Sequence, residues 1–247
     1  MSEQLKQAFI FAAGRGERMM PLTTDTPKPL VKVNNRPIID YTLQSLLKID
    51  SIQKIIINGY YLSDKIESYI KSVSSDRLIF SKETEKLETG GGLIFASDKI
   101  DFESPLLIIN GDLLWLDDQD LQLIWQRWLE LKQASEVDIL LGLKRKDDFP
   151  GYKGEGDFNL LNSDLIDDAG SPMSHAYVGI QIIDPKILSL AHKEKCFSMS
   201  YFYRREIDHN NVITKVKGIE LPGKYFHVSE VADIKNTENL INNYAKG

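Results

Sequence analysis

Cysteine is nearly absent from this sequence, and long apolar runs are missing altogether. The 247 residues include a single cysteine, Cys196, so no disulfide can form within the chain. A lone thiol is typical of a reducing compartment, and no motif pairs Cys196 with a histidine, which disfavours a cysteine nucleophile. The apolar run after the polar start MSEQLKQ is too short for a signal peptide or a membrane span. We therefore expect a cytoplasmic protein with no membrane partner.

An excess of positive charge is missing as well. Lys and Arg number 30 against 36 Asp and Glu, which gives a formal net charge of −6, and the two signs are mixed along the chain. Proteins that bind nucleic acid generally present a basic face, so this balance excludes a general nucleic-acid binder and makes any phosphate chemistry local.

Repeats, low-complexity tracts and Pro/Gly-rich linkers are also missing. With 42% hydrophobic residues, residues 1–247 are predicted to form one domain.

Two kinds of segment alternate over the first 145 residues. Short apolar runs rich in β-branched residues predict buried strands, namely QAFIFA, KIIING, RLIFS, PLLIIN and VDILLGL. Apolar positions at helical spacing predict helices, namely PIIDYTLQSLLKI, LSDKIESYIKSV, GGLIFASDKI and LQLIWQRWLELKQA. This alternation predicts an α/β fold, a Rossmann-like mixed but mostly parallel sheet with helices on both faces. Ligands of such sheets bind at the carboxyl ends of the strands.

The alternation weakens after about residue 145. Extended segments joined by turns follow, then the helix-like FSMSYFYRREI, one strand over KGIELPGKYFHVSE, and a closing helix from about Asp233. Because no linker separates this part from the rest, it is predicted to be an insertion into the same domain.

A positively charged loop that bears two glycines follows the first predicted strand: AAGRGERMMPLTTDTPKPL, residues 12–30. Gly14 and Gly16 permit backbone conformations that turn N–H groups toward an anion. Three cations on the same exposed loop can neutralise a polyphosphate, namely Arg15, Arg18 and Lys28. A bare G-x-G is also common in surface turns whose charges are merely solvated. Neither a P-loop nor a dinucleotide fingerprint is present, because G-K-[ST] is missing and Met19 stands where the third glycine belongs.

The longer pattern A-A-G-x-G-x-R-M-x-P-L-T-x-x-x-P-K-P-L, directly after an apolar strand, resembles the opening of the sugar-1-phosphate nucleotidyltransferases. The resemblance continues through LETGGGL (87–93), LLIINGD (106–112), GEGDFNL (154–160), AYVGIQIID (176–184) and GKYFHVSEVADI (223–234), and so spans nearly the whole chain. Within that family the motifs are most similar to the uridylyltransferases that act on N-acetylmuramate 1-phosphate. The resemblance implies a nucleotide-binding half over 1–112, and a sugar-binding half with a closing helix over 113–247.

The resemblance also implies site residues. The expected catalytic residues are Arg18, which faces the departing pyrophosphate, Lys28, which bridges the phosphates of both substrates, and Asp112, which holds magnesium. The expected nucleotide-binding residues are Ala12, Ala13, Gly14, Arg15, Gly16, Glu88, Gly90, Gly91 and Asn110. The peptide groups near Gly90 are expected to read the edge of the base, although a helix-entry turn explains the glycines equally well. The sugar is expected at Gly156, Asp157 and Gly179, where sheet packing is the alternative.

The metal assignment has a physical basis and one departure from the family. An aspartate beside a polyphosphate is repulsive unless a cation intervenes, and Mg²⁺ prefers oxygen ligands; the alternative is that Asp112 caps a following helix. The family's second metal-binding aspartate aligns with His227, and an imidazole suits softer ions such as Mn²⁺ better than Mg²⁺. His227 is therefore a candidate metal ligand, and Glu230 either supplies the missing oxygen ligand or is a surface residue. Two outcomes stay open: Asp112, phosphates and water hold the ion, or the metal site is weakened.

The expected reaction is the attack of a sugar 1-phosphate oxygen on the α-phosphorus of a nucleoside triphosphate, with pyrophosphate as the leaving group. UTP and N-acetylmuramate 1-phosphate are the expected substrates. Three alternatives stay open: a cytidylyltransferase acting on a small phosphorylated alcohol, a weak relative that binds nucleotide as a regulator, and an NAD-dependent enzyme, which the missing third glycine disfavours. A monomer or a small homo-oligomer is expected.

Overall fold

Alternating strands and helices build the molecule. The computed structural model describes residues 3–115, 118–161, 165–167, 173–190, 194–203 and 215–244. The strands are β1 Gln7–Phe11, β2 Lys32–Val33, β3 Arg36–Pro37, β4 Lys54–Gly59, β5 Leu78–Lys82, β6 Leu106–Asn110, β7 Leu113–Trp115, β8 Ile139–Arg145, β9 Asn159–Leu161, β10 Leu165–Asp167, β11 His175–Ile183, β12 Val216–Glu220 and β13 Tyr225–His227. The helices are α1 Ile38–Leu47, α2 Ser63–Ser72, α3 Glu88–Phe95, α4 Gln119–Gln133, α5 Ser200–Tyr203 and α6 Val231–Tyr244.

Nine of these strands form one sheet in the order β5-β4-β1-β6-β11-β8-β12-β10-β9. β1 pairs in parallel with β4 and β6, β4 with β5, and β8 with β12. β11 lies antiparallel between β6 and β8, and β10 is antiparallel to β12 and β9. Seven of the nine strands therefore run in one direction, which confirms the predicted mixed, mostly parallel sheet.

Helices cover both faces of the sheet, and successive residues of β1 show it. Ala8 and Ile10 belong to a core cluster with residues of α1, α2 and α4, whereas Phe9 belongs to a second cluster with residues of α3 and α5. Side chains that alternate between faces are the pattern of a strand buried on both sides. A third cluster joins the loop after β1 to β13 and α6 through Met19, Phe226 and Ile241, among others. β13 and α6 thus pack against the loop that follows β1.

Several predicted bounds were wrong. α3 begins at Glu88 rather than at Gly91 and ends at Phe95, and a short 3₁₀ turn follows it. The single strand predicted over KGIELPGKYFHVSE is two strands, because β12 joins the main sheet whereas β13 pairs with β7. Only Ser200–Tyr203 of the helix-like FSMSYFYRREI is helical in the described residues; residues 204–207 of that segment lie outside them.

Across the residues the structure describes, no helix combines the length and the apolar character needed to cross a membrane.

Candidate active site

A cleft lies at the carboxyl ends of the parallel strands, where the loops leaving β1, β4 and β6 meet. It consists of two adjoining cavities of about 710 and 430 Å³ that share Phe11, Gly14, Gly16, Glu17 and Thr89. The lining of the larger cavity is mostly apolar and also includes Tyr60, Tyr61, Leu87 and Ser198, among others. The smaller adds charged and polar groups, namely Arg18, Lys28, Asn110, Asp112 and Ser229. Volumes of this order suit a ligand of nucleotide size.

The loop after β1 owes its shape to one glycine and two prolines. Gly16 has a left-handed backbone with φ of 67°, and a Cβ atom there would lie 2.8 Å from Cβ of Lys28. The Gly16 carbonyl accepts hydrogen bonds from Met19 N and the Thr23 hydroxyl. Pro27 and Pro29 flank Lys28 at the start of a short 3₁₀ turn. By contrast, a Cβ atom at Gly14 would meet nothing within 4 Å, so this position faces open cleft.

Lys28 and Asp112 form an ion pair at the base of the smaller cavity, with Nζ 2.6 Å from Oδ2. The prediction that Lys28 is exposed was wrong, because only 9% of the residue is accessible. The Asp112 side chain is 40% exposed. Its depth in the cleft would raise the pKa of Asp112, but the charge and the hydrogen bond of Lys28 outweigh burial and hold that pKa below its ordinary value. The carboxylate is therefore ionised at neutral pH.

The two arginines of the loop take different positions. Arg18 is exposed and lines the smaller cavity beside Lys28. Arg15 lines the larger cavity, where its guanidinium lies 5.5 Å from the centroid of the Tyr61 ring. A cation over an aromatic ring gains on the order of 1 kcal/mol, so Tyr61 orients Arg15 along the cleft wall. The structure thus brings Arg18, Lys28 and Asp112 together, as the sequence predicted.

The glycine-rich segment LETGGGL contributes packing contacts rather than the backbone contacts with a base that the sequence predicted. Gly90 and Gly91 are buried, and their N–H groups donate to the Phe197 carbonyl at 2.8 and 3.1 Å, so they have no N–H left to read a base. A Cβ atom at Gly90 would lie 2.4 Å from the Phe197 ring. The glycines permit close packing against the segment around Phe197, and the cavity wall is made by the residues just before them, Leu87, Glu88 and Thr89. Glu88 has a positive φ of 57°, which is uncommon for a residue with a side chain.

The residues predicted to bind sugar are structural in their contacts. Gly156 has φ of 93°, and a Cβ atom there would lie 2.6 Å from the Met173 carbonyl oxygen. The Asp157 carboxylate accepts a 2.8 Å hydrogen bond from Tyr177 N. Gly179 packs on the Asn110 side chain, at an irregularity in the pairing of β11 with β8. Asn110 lines the smaller cavity, so Gly179 borders the cleft, whereas Gly156 and Asp157 are absent from the lining of both cavities.

His227 lies next to Asp112 because β13 pairs with β7, with His227 opposite Leu113. Its ring packs edge-on against Phe149 and Tyr152, with centroids 6.0 and 6.1 Å away. Burial lowers the pKa of His227, although the charge of Asp112 opposes that shift. The imidazole is therefore neutral at pH 7. The helix-cap alternative for Asp112 was wrong, since β7, not a helix, follows it.

The donor set fits Mg²⁺ only in part. No three His, Cys, Asp or Glu side chains come together as a metal-binding group in the part of the chain that the structure describes. Glu230 is held by Lys153, whose Nζ lies 2.9 Å from Oε2. Asp112 offers a partly exposed carboxylate beside the cations, and Mg²⁺ commonly takes one or two carboxylates together with phosphate oxygens and water. The site therefore suits a metal ion that arrives with a phosphorylated ligand.

Two buried polar residues of the cleft were not predicted. Asn58, at the end of β4, and Glu83, just after β5, line the larger cavity and are 1% and 4% exposed. Burial raises the pKa of Glu83, and a hydrogen bond from Asn58 offsets part of that shift. The signal in the sequence was an asparagine inside the apolar run KIIING, where a buried amide requires a partner.

Comparison with known proteins reveals consistent similarity. A family model described as nucleotidyl transferase matches residues 7–152. The chain is 31% identical over 196 residues to an N-acetylmuramate alpha-1-phosphate uridylyltransferase of Caulobacter vibrioides, covering 76% of this chain and 78% of the relative. It is 29% identical to the protein of that name from Neisseria meningitidis serogroup B, covering 95% and 97%.

A solved structure extends the comparison to the fold. The inositol-1-phosphate CTP transferase from T. maritima superposes with a TM-score of 0.73 at 18% identity, covering 98% of this chain and 97% of that one. At that identity the likeness concerns the fold alone.

Proposed function

The chain belongs to the nucleotidyl transferase family, as a sugar-1-phosphate nucleotidyltransferase, and from that premise we propose that it joins UTP to N-acetylmuramate 1-phosphate. The products are a uridine diphosphate sugar and pyrophosphate. The observation that carries nucleotidyl transfer at this cleft, before any choice of substrates, is the division of the cleft. A largely apolar cavity, large enough for a nucleoside, opens into a smaller one that Arg18, Lys28 and Asp112 line.

The reaction requires positioning and charge neutralisation rather than a general base. A sugar 1-phosphate is ionised at pH 7, so its oxygen attacks the α-phosphorus directly, and the bond from that phosphorus to the pyrophosphate oxygen breaks. Two polyanions must meet for this attack, and preorganised cations stabilise the charge that accumulates. Lys28, fixed between two prolines and held by Asp112, meets both phosphates where they react. Arg18, which is exposed at the mouth of the smaller cavity, pairs with the departing pyrophosphate.

We propose that Asp112 anchors Mg²⁺, with phosphate oxygens and water completing the shell. When bound, the ion neutralises phosphate charge and withdraws electrons from the phosphorus. Mn²⁺ is expected to replace it, because both accept oxygen ligands. The ring contacts of His227 with Phe149 and Tyr152 favour a packing role for the imidazole.

UTP is proposed because two relatives that cover most of the chain are named uridylyltransferases. The same names support N-acetylmuramate 1-phosphate as the acceptor. We further propose that the protein acts in the cytoplasm, in the recycling of cell-wall sugars. A second candidate is a cytidylyltransferase that acts on a small phosphorylated alcohol. It is favoured by a partial relative, a CTP:phosphoglutamine cytidylyltransferase of Campylobacter jejuni, which is 32% identical over 115 residues and covers 45% of this chain.

A grid of substrates tests the proposal. Pyrophosphate release is measured for UTP, CTP, dTTP, ATP and GTP, each with N-acetylmuramate 1-phosphate, the N-acetylglucosamine and glucose analogues, and inositol 1-phosphate. We expect the highest kcat/KM for UTP with N-acetylmuramate 1-phosphate and poor use of purine nucleotides. A higher value for CTP with inositol 1-phosphate would establish the second candidate instead.

A further inference from the structure

The first peptide of the loop after β1 is held from both sides. Pairing of β1 with β4 reaches Ile10 opposite Ile57. Beyond that point the Asn58 side chain replaces the backbone, since its Oδ1 accepts a 2.7 Å hydrogen bond from Ala12 N. On the other side, Gly111 N donates to the Phe11 carbonyl at 2.8 Å. The chain therefore leaves the sheet in a direction that a side chain of β4 helps to set.

Asn58 is itself held by Glu83. Its Nδ2 donates to Glu83 Oε1 at 2.6 Å, and Glu83 N donates to the Gly59 carbonyl at 2.9 Å. The two contacts of the amide fix its orientation, because only the oxygen can accept from Ala12 and only the nitrogen can donate to Glu83. Hydrogen bonds between buried groups resist displacement, since a broken one leaves a desolvated polar atom.

The third glycine of the TGGG segment makes room for this pair. A Cβ atom at Gly92 would lie 2.5 Å from Glu83 Oε1 and 2.9 Å from Asn58 Nδ2. Gly90 and Gly91 pack against the segment around Phe197 instead. Four parts of the chain, at Ala12, Asn58, Glu83 and Gly92, therefore converge on one buried contact beneath the cleft.

We propose that Asn58 and Glu83 are a positioning pair that fixes the exit of the loop from β1, and with it the place of Arg18 and Lys28 relative to the nucleotide phosphates. The inference rests on the proposed nucleotidyl transfer. A small misplacement of reacting groups costs about 100-fold in rate, so a pair that does not touch the phosphates can control turnover. Glu83 lines the larger cavity, which is proposed to hold the nucleoside. Direct contact of Glu83 with the base is therefore the competing role.

Exchange of donor and acceptor tests the pair. Asn58→Asp sets a second carboxyl group against Glu83 in place of a donor, so the side chain is expected to shift away from both Glu83 and Ala12 N. We therefore expect kcat to fall about 100-fold, with a smaller change in the KM for UTP. Glu83→Gln is the conservative variant that keeps an oxygen for Asn58, so its kcat is expected to stay well above that of Asn58→Asp, with the same nucleotide preference as the wild type. In the double variant the amide introduced at position 83 donates to the carboxylate introduced at position 58, and kcat is expected to recover. Ser81→Ala is the matched control, because Ser81 is equally buried on β5 and its hydroxyl has no partner among the described residues.

Two results overturn the proposal: wild-type kcat in a folded Asn58→Asp, or no recovery in a folded double variant. A changed nucleotide preference in Glu83→Gln assigns Glu83 to the base and overturns it as well. If Asn58→Asp fails to fold, Glu83→Ala serves instead. It removes the acceptor and is expected to lower kcat much further than Glu83→Gln does, and equal kcat in the two variants contradicts the pair.

Hydrogen exchange at the Ala12 amide separates this inference from the proposed function. Protection is expected to be high in the wild type, in Glu83→Gln and in the double variant, and low in Asn58→Asp. That pattern without turnover on any substrate would refute nucleotidyl transfer and leave the positioning pair standing. Equal protection in all four proteins would refute the pair, whatever the turnover.

Discussion

A few side chains carry the chemistry, and their contacts are more constrained than their spacing in the sequence suggests. The pattern P-K-P predicted a cation at the phosphate loop, and the strand end near Asp112 predicted a carboxylate in the same cleft. That Lys28 is buried and lies 2.6 Å from Asp112 was not predictable. The pairing depends on β1 and β6 being neighbours, and on Gly16, whose missing Cβ lets Lys28 approach.

Removal of the cations should affect catalysis more than folding. Arg18→Ala and Lys28→Met are each expected to lower kcat by about 10²–10³-fold, the usual cost of losing a preorganised charge contact to a developing anion. Methionine keeps most of the volume of the buried lysine. Lys32→Met, at an exposed position on β2 outside the cleft lining, is the control and should retain full activity. Steady-state kinetics with UTP measures all three variants. Full activity in both cleft variants would show that the loop does not bind the phosphates.

Substitutions of His227 decide whether the imidazole is a metal ligand or only packs against its neighbours. Phenylalanine at this position keeps the ring contacts with Phe149 and Tyr152 but cannot bind a metal. We expect His227→Phe to show the same half-saturating Mg²⁺ concentration and the same preference for Mg²⁺ over Mn²⁺ as the wild type. A metal titration of initial rates measures both, with His227→Asp as the variant that adds an oxygen ligand. A much higher Mg²⁺ requirement in His227→Phe would make the imidazole a ligand.

At the scale of elements, hydrophobic periodicity predicted the presence of the helices but not where they begin or what their first residues contact. The apolar spacing of GGLIFASDKI placed a helix after the glycines, yet α3 starts three residues earlier and buries them against Phe197. Phe197 lies far beyond Gly90 in the chain, so no local pattern could reveal the contact. The small strands β7 and β13 were also missed individually, because each has only three residues and their pairing is non-local.

Substitutions at two glycines distinguish a glycine that is needed for packing from one that is needed for ligand binding. Gly92→Ala places a methyl group against the buried Asn58 and Glu83 and is expected to lower the free energy of unfolding by about 1–3 kcal/mol, as overpacking does. Gly14→Ala meets no neighbour and should change it by less than about 0.5 kcal/mol, while kcat/KM falls because the methyl enters the cleft. Urea unfolding and steady-state kinetics measure the pair. Equal stability of the two variants would contradict the assigned packing.

At the scale of the whole molecule, the sheet brings cations together at one opening of a chain whose net charge is negative. The net charge is −6, yet the loops from β1 and β6 bring Arg18, Lys28 and Asp112 to one opening. The sequence predicted the fold class because the alternation of strands and helices is local. It could not predict that β11 lies antiparallel between β6 and β8, since strand order depends on contacts between distant segments. The division into nucleotide and sugar halves stays a prediction.

The most direct test follows the oxygen atoms of the acceptor through the reaction. N-acetylmuramate 1-phosphate carrying ¹⁸O in its three non-bridging phosphate oxygens is incubated with unlabelled UTP, Mg²⁺ and the protein, and both products are analysed by mass spectrometry. Attack of the sugar phosphate on the α-phosphorus predicts that all of the label is in the nucleotide sugar and none is in the pyrophosphate. Label in the pyrophosphate, or consumption of UTP without a labelled nucleotide sugar, would contradict nucleotidyl transfer at this cleft.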